Sequence, residues 1–187
     1  MKMRMPRLVV TPEGQAVYDA ENRARDAMPR PLLDGRAVTA LVRIIEQQAA
    51  FGGNRTTVSN RGTNKSYGGV KFTRGKKPIN RDLRMAWELR QIDGAAYSAE
   101  WTRRLTEYWS RPLRNEYFVQ IATTMRDAYT VTHEMAHVLQ CIMQPMRTGR
   151  LGHGLEFRTL HLQILDALDP VMAAAVRAEY RNANLEV

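Results

Sequence analysis

The chain of 187 residues predicts an α+β fold, mostly helical, with a small β element. Three observations carry that expectation. Apolar residues recur at helical spacing in several separate stretches. Only "EYFVQIAT" (116–123) alternates β-branched and aromatic residues with polar ones over a strand's length. A Gly-, Asn-, Ser- and Thr-rich stretch interrupts the helical pattern between them.

Taken in order, "TPEGQAVYDAENRARDAMPR" (11–30) reads as a polar helix, with Thr11 as N-cap and Pro12 at its first position. In "DGRAVTALVRIIEQQAAF", Val38, Leu41, Ile44 and Ile45 share a helical face. The stretch around "YGGVKFTRG" is expected to form hairpins or to stay partly disordered. Helical patterning returns in "RDLRMAWELRQI" and in "SAEWTRRLTEYW", the latter with Ser98 as N-cap and Trp101, Leu105 and Tyr108 on one face. A helix is expected from about Asp127 to Met143, then a turn marked by Pro145 and Gly149. A last helical region begins at "GHGLEF" and is interrupted near Asp169-Pro170.

The length fits a single domain able to bury a core, and the 44% apolar and 25% charged fractions suit a soluble one. No apolar run is long enough to span a bilayer, and the basic start lacks a signal peptide's apolar stretch. An intracellular, cytoplasmic protein is expected. Cys141 is the only cysteine, which excludes an intrachain disulfide and any multi-cysteine zinc knuckle. A metal site would need His, Asp, Glu or one thiolate.

Charge is distributed unevenly. The net charge is +9, and residues 47–81 contain no acid. They hold Arg55, Arg61, Lys65, Lys71, Arg74, Lys76, Lys77 and Arg81. Such a block attracts polyanions through phosphate contacts and counterion release, so nucleic acid, DNA above all, is the expected partner.

The chemistry concentrates in "HEMAHVLQ" (133–140). On a helix, His133 and His137 project from one side one turn apart, as two imidazoles sharing a zinc ion must. Glu134 is turned about 100° from His133, beside the metal and placed to take a proton from its water. Val131, Met135, Val138, Leu139 and Ile142 fall on the opposite side, so the helix has an apolar back to anchor it. A catalytic zinc usually takes a third protein ligand. Cys141, His153, Glu156 and His161 are the candidates. Cys141 lies two turns from His133 and reads as a packing residue. His153, between Gly152 and Gly154, is favoured; Glu156, nineteen residues after His137, stays open. His161 lies about two helical turns beyond His153 and is the weakest candidate to share its ion. An oxyanion donor is sought among Tyr129, Arg126 and Arg158, with no choice between them.

"HEMAHVLQ" followed by "GHGLEFRTLHLQIL" resembles the SprT-like zinc metalloproteases, the family that includes Spartan. The resemblance covers about residues 116–165. It implies a zincin-like core, Zn²⁺ on His133, His137 and His153, and Glu134 as general base, with Gly152, Gly154, Glu156 and Phe157 completing the second motif. It also implies a peptidase acting on proteins at or near DNA. Domain organisation follows: residues 1–187 as one metalloprotease-like domain, 47–81 as a basic, flexible segment, and about 116–165 as the zinc-binding core. A competing expectation is a basic nucleic-acid-binding or structural protein on the same scaffold, with zinc structural or vestigial.

Overall fold

A computed structural model describes residues 11–29, 31–59, 66–73, 102–104, 106, 107, 110, 114–143 and 152–187. The chain divides into two compact units, Met1–Val70 with Tyr117–Val187, and Lys71–Glu116. In the second unit, the described residues 102–104, 106, 107 and 110 are helical, and Arg103 pairs with Glu107 at 3.6 Å. The helix expected at 81–92, the 98–109 face of Trp101, Leu105 and Tyr108, and the turn at Pro145 and Gly149 lie outside the described residues.

The first unit is α+β and mostly helical. Its order is α1 (Pro12–Asp26), α2 (Gly35–Ile45), β1 (Thr56–Ser59), β2 (Tyr67–Thr73), β3 (Arg114–Gln120), α3 (Ala128–Met143), α4 (Leu155–Leu168) and α5 (Pro170–Asn182). Local chemistry sets the helix starts. Thr11 Oγ1 accepts the Gly14 N–H at 3.1 Å, and Asp34 Oδ1 accepts from Arg36 and Ala37. Asp169 caps α5 through the Met172 N–H, with Pro170 at the first position. Asp127 serves α3: its Oδ1 accepts the Thr130 N–H at 2.8 Å.

The sheet order is β1–β3–β2, with β1 and β3 parallel in the register Thr56↔Tyr117 to Ser59↔Gln120. Two parallel neighbours need a crossover connection. Here residues 60–113 separate them, so β2 joins β3 instead of closing a local hairpin with β1. That departs from the hairpin expected around "YGGVKFTRG". Gly68 supplies the reason for a glycine-rich strand: a Cβ there would lie 2.0 Å from the Glu134 carbonyl oxygen of α3. The strand can touch the helix backbone only where no side chain intervenes.

Two apolar clusters hold the unit. Val38, Val42 and Ile45 of α2, Val119 of β3 and Val131, Met135, Val138 and Leu139 of α3 pack with Phe157 and Ile164 of α4. Ile142 packs at its edge. Val17, Ala20 and Ala24 of α1 pack with Leu162 and Leu165 of α4 and Met172, Val176 and Tyr180 of α5. The helix read as polar thus has a narrow face of small apolar residues, and α1 is carried on α5. Arg25 NH2 and Asp127 Oδ2, 2.6 Å apart, also tie α1 to the start of α3. Cys141 lies in the first cluster, and burial pushes its thiol up to about 11, so it is a packing residue without thiolate character.

Among the described residues, no helix is long and apolar enough to cross a membrane.

Gly68→Ala is expected to force β2 off α3. Overpacking of this kind costs about 1–3 kcal/mol. At about 2–4 °C per kcal/mol for a chain of this size, thermal melting should show Tm lowered by roughly 2–10 °C.

Candidate metal centre

The first turn of α3 is fixed by Asp127 and its back by the apolar cluster, which leaves one side of the helix to face α1 and α4. From that side His133 and His137 project one turn apart. His153 comes from the residue pair before α4, where Gly154 is the N-cap. Its Nε2 lies 3.2 Å from His133 Nε2 and 3.2 Å from His137 Nε2. His133, His137 and His153 therefore present one nitrogen each to a common point. The Phe157 ring lies against all three, with centroids 4.9, 4.5 and 4.6 Å from theirs.

The outer nitrogens decide what those inner ones carry. His133 Nδ1 lies 2.9 Å from Glu21 Oε2, and a carboxylate only accepts, so Nδ1 holds the proton. Gln140 Nε2 must face the Gly152 carbonyl, at 3.4 Å, which turns Gln140 Oε1 toward His137 Nδ1 at 3.1 Å. His137 Nδ1 is then also the donor. Both neutral rings direct bare Nε2 lone pairs inward. A proton on His153 Nε2 can satisfy one of them, not both.

A cation fits this arrangement. Tetrahedral zinc with Zn–N of about 2.0–2.1 Å separates its nitrogens by about 3.3–3.4 Å, close to the spacing found here. Burial holds His137 well below the ordinary imidazole range and His153 down to about 4, so both stay neutral, as ligands must. Burial opposes charge on His133 too, but the charge and hydrogen bond of Glu21 raise it.

Glu21 was not legible as a site residue. It is buried, and although burial disfavours its charge, His133 and then His161 hold its carboxyl well below the usual range. It accepts from the Tyr180 hydroxyl and lies 3.3 Å from His161 Nδ1. A carboxylate behind a ligating histidine fixes its tautomer and raises its basicity. The signal was present: Val17, Ala20, Glu21 and Ala24 share one helical face, and an acid on an apolar face needs a partner.

Glu134 lies beside the cluster and outside it. Burial raises its carboxyl above the ordinary value, against the pull of His133 and of the Gly68 N–H that donates to it. That shift moves it toward the range a general base needs near neutrality.

The remaining candidates fall elsewhere. His161 is fully buried on the far side of Glu21, with Nε2 3.3 Å from Thr132 Oγ1, and Glu21, His133 and His161 form a second close group. Glu156 and Cys141 belong to neither group. Arg158 is buried and binds Glu13 Oε1 at 2.8 Å, the His153 carbonyl at 3.1 Å and the Glu186 carbonyl at 2.8 Å, so it positions the His153 turn. Of the basic set, Arg55 is exposed and pairs with Glu46 at 3.3 Å. Lys71 lies in β2 with its side chain outside the described residues, as are Arg61, Lys65, Arg74, Lys76, Lys77 and Arg81. Compared with models of protein families, with curated proteins and with solved structures, the chain gave no match.

Glu21→Ala should leave His133 Nδ1 without its acceptor. Removing such an outer partner typically costs 10–100-fold in metal affinity, and chelator competition should show a loss of that order for zinc.

Proposed function

We propose that the chain is a zinc-dependent endopeptidase of SprT-like type, with a zincin-like core, acting on proteins at or near DNA. The observation that supports this most is the convergence of the His133, His137 and His153 Nε2 atoms, two of them with lone pairs inward, beside a buried Glu134. Zn²⁺ held there would act as a Lewis acid, lowering the pKa of water to about 7 and polarising a peptide carbonyl. His133 and His137 would hold it from α3 and His153 from the start of α4.

The protein's own part is positional and acid–base. Glu134, oriented by the Gly68 N–H, accepts the proton of the attacking water and returns it to the leaving amine. Glu21 and Gln140 keep the protons of His133 and His137 on their outer nitrogens, which leaves Nε2 free for the ion. Arg158 and Gln140 fix the two ends of the His153 segment through its carbonyl and that of Gly152. Phe157 lines the cluster with an apolar ring, which strengthens electrostatic interactions within it. The acid-free segment 47–81 is the element suited to bring DNA-associated substrates near.

That same segment motivates a second reading, a nucleic-acid-binding or structural protein with structural or vestigial zinc. DNA binding with a steep salt dependence, combined with no proteolysis in the zinc-loaded protein, would favour it.

Glu134→Gln separates the readings. The variant should keep one zinc per chain and lose about 10²–10⁴-fold in the rate of cleavage of a disordered protein such as casein, followed by gel densitometry. Wild-type cleavage rates in the variant would rule out Glu134 as the base.

A further inference from the structure

When water attacks a peptide carbonyl, negative charge grows on its oxygen, and a donor placed there beforehand lowers the barrier. None of the three side chains suggested by sequence proximity is suited to give it. Arg158 is buried and engaged on three acceptors. Tyr129 is 4% exposed and packs edge-on against His161 at 5.2 Å, among the groups around Glu21. Arg126 has interactions of its own.

Tyr18 of α1 is different. Its ring centroid lies 4.5 Å from that of His153 and 6.0 Å from that of His133. It is 37% exposed, and no hydrogen bond engages its hydroxyl among the described residues. With Glu134, His133 and Glu21 it lines one cavity of about 290 Å³, large enough to admit part of a peptide. The helix explains the placement. Tyr18 stands three residues before Glu21, so both project from neighbouring positions of one face. The Arg25–Asp127 pair, one turn further on, fixes that face against the start of α3. Partial burial, then the nearby Glu134 and Glu21 carboxylates, raise the phenol's pKa, so it is a donor throughout the neutral range.

We infer that Tyr18 is a further catalytic residue of this site, whose hydroxyl donates a hydrogen bond to the substrate carbonyl oxygen as it becomes anionic. The inference rests on the peptidase reading. It assigns to α1 two roles at the same centre, the outer partner of a ligand and the donor to the reacting oxygen. No proton is transferred from the phenol; the bond strengthens as charge develops on its acceptor.

Tyr18→Phe removes the hydroxyl and keeps the ring against His153. The zinc-loaded variant should match wild type in zinc content, Tm and KM for casein cleavage. Its kcat should fall by about 10²-fold, the lower end of the loss seen when such a donor is removed. Calorimetry with a peptide phosphinate, a tetrahedral anionic mimic, should show affinity lowered by a similar factor without any turnover. Equal phosphinate affinity in the two proteins would overturn the inference, as would loss of zinc from the variant, which would make Tyr18 structural. Either result leaves the peptidase reading standing, because Glu134→Gln tests that separately. A wild type that neither cleaves casein nor binds the phosphinate overturns both.

Discussion

Imidazole nitrogens that carry lone pairs repel one another, and a fold that gathers three of them within 3.2 Å contacts must hold each by its far side. Most of the first unit serves that constraint. Glu21 holds His133, Gln140 holds His137, and Arg158 with Gln140 holds the backbone around His153. Each of these groups is in turn fixed by something further out. Tyr180 of α5 donates to Glu21, while Glu13 of α1 and the Glu186 carbonyl receive Arg158. The centre is therefore coupled to α1, α5 and the end of the chain as strongly as to the helix that bears the motif.

This coupling gives α1 its importance. A helix at one end of the sequence packs on one at the other, and together they bring a carboxylate and a phenol to histidines more than a hundred residues away. The buried carboxylate would be costly alone. Paired with His133 and the Tyr180 hydroxyl, it is satisfied, and its charge orients the ligand it faces. The same logic applies at Gly68, where the missing side chain lets a strand contact α3 closely enough to donate its N–H to Glu134.

What could be read from the sequence was what local spacing encodes. His133, Glu134 and His137 sit within one helical turn and a half, and the apolar residues behind them follow the same period, so both faces of α3 were legible. The glycines around His153 marked a ligand on a turn. Thr11, Pro12, Asp169 and Pro170 announced helix ends because capping is a short-range interaction. The partners that complete the site were hidden because they are long-range. Nothing in the spacing of Tyr18 or Glu21 refers to residue 133, and only the packing of α1 on α5 and α4 brings them there. Arg158 shows the converse: proximity in sequence suggested a role toward substrate, whereas its contacts make it a brace. The strand at 67–73 was misjudged for a similar reason, since its partner β3 lies beyond a crossover that no local pattern reveals.

The central claim is that His133, His137 and His153 form one zinc site with a single open position. X-ray absorption at the zinc edge of the purified, zinc-loaded protein tests it most directly, together with metal content of the His153→Ala and Glu156→Ala variants. The account predicts one zinc per chain, three nitrogen ligands at about 2.0–2.1 Å with one light-atom ligand besides, loss of the ion in His153→Ala and its retention in Glu156→Ala. A sulfur ligand in the first coordination sphere, or zinc kept by His153→Ala and lost by Glu156→Ala, would contradict it.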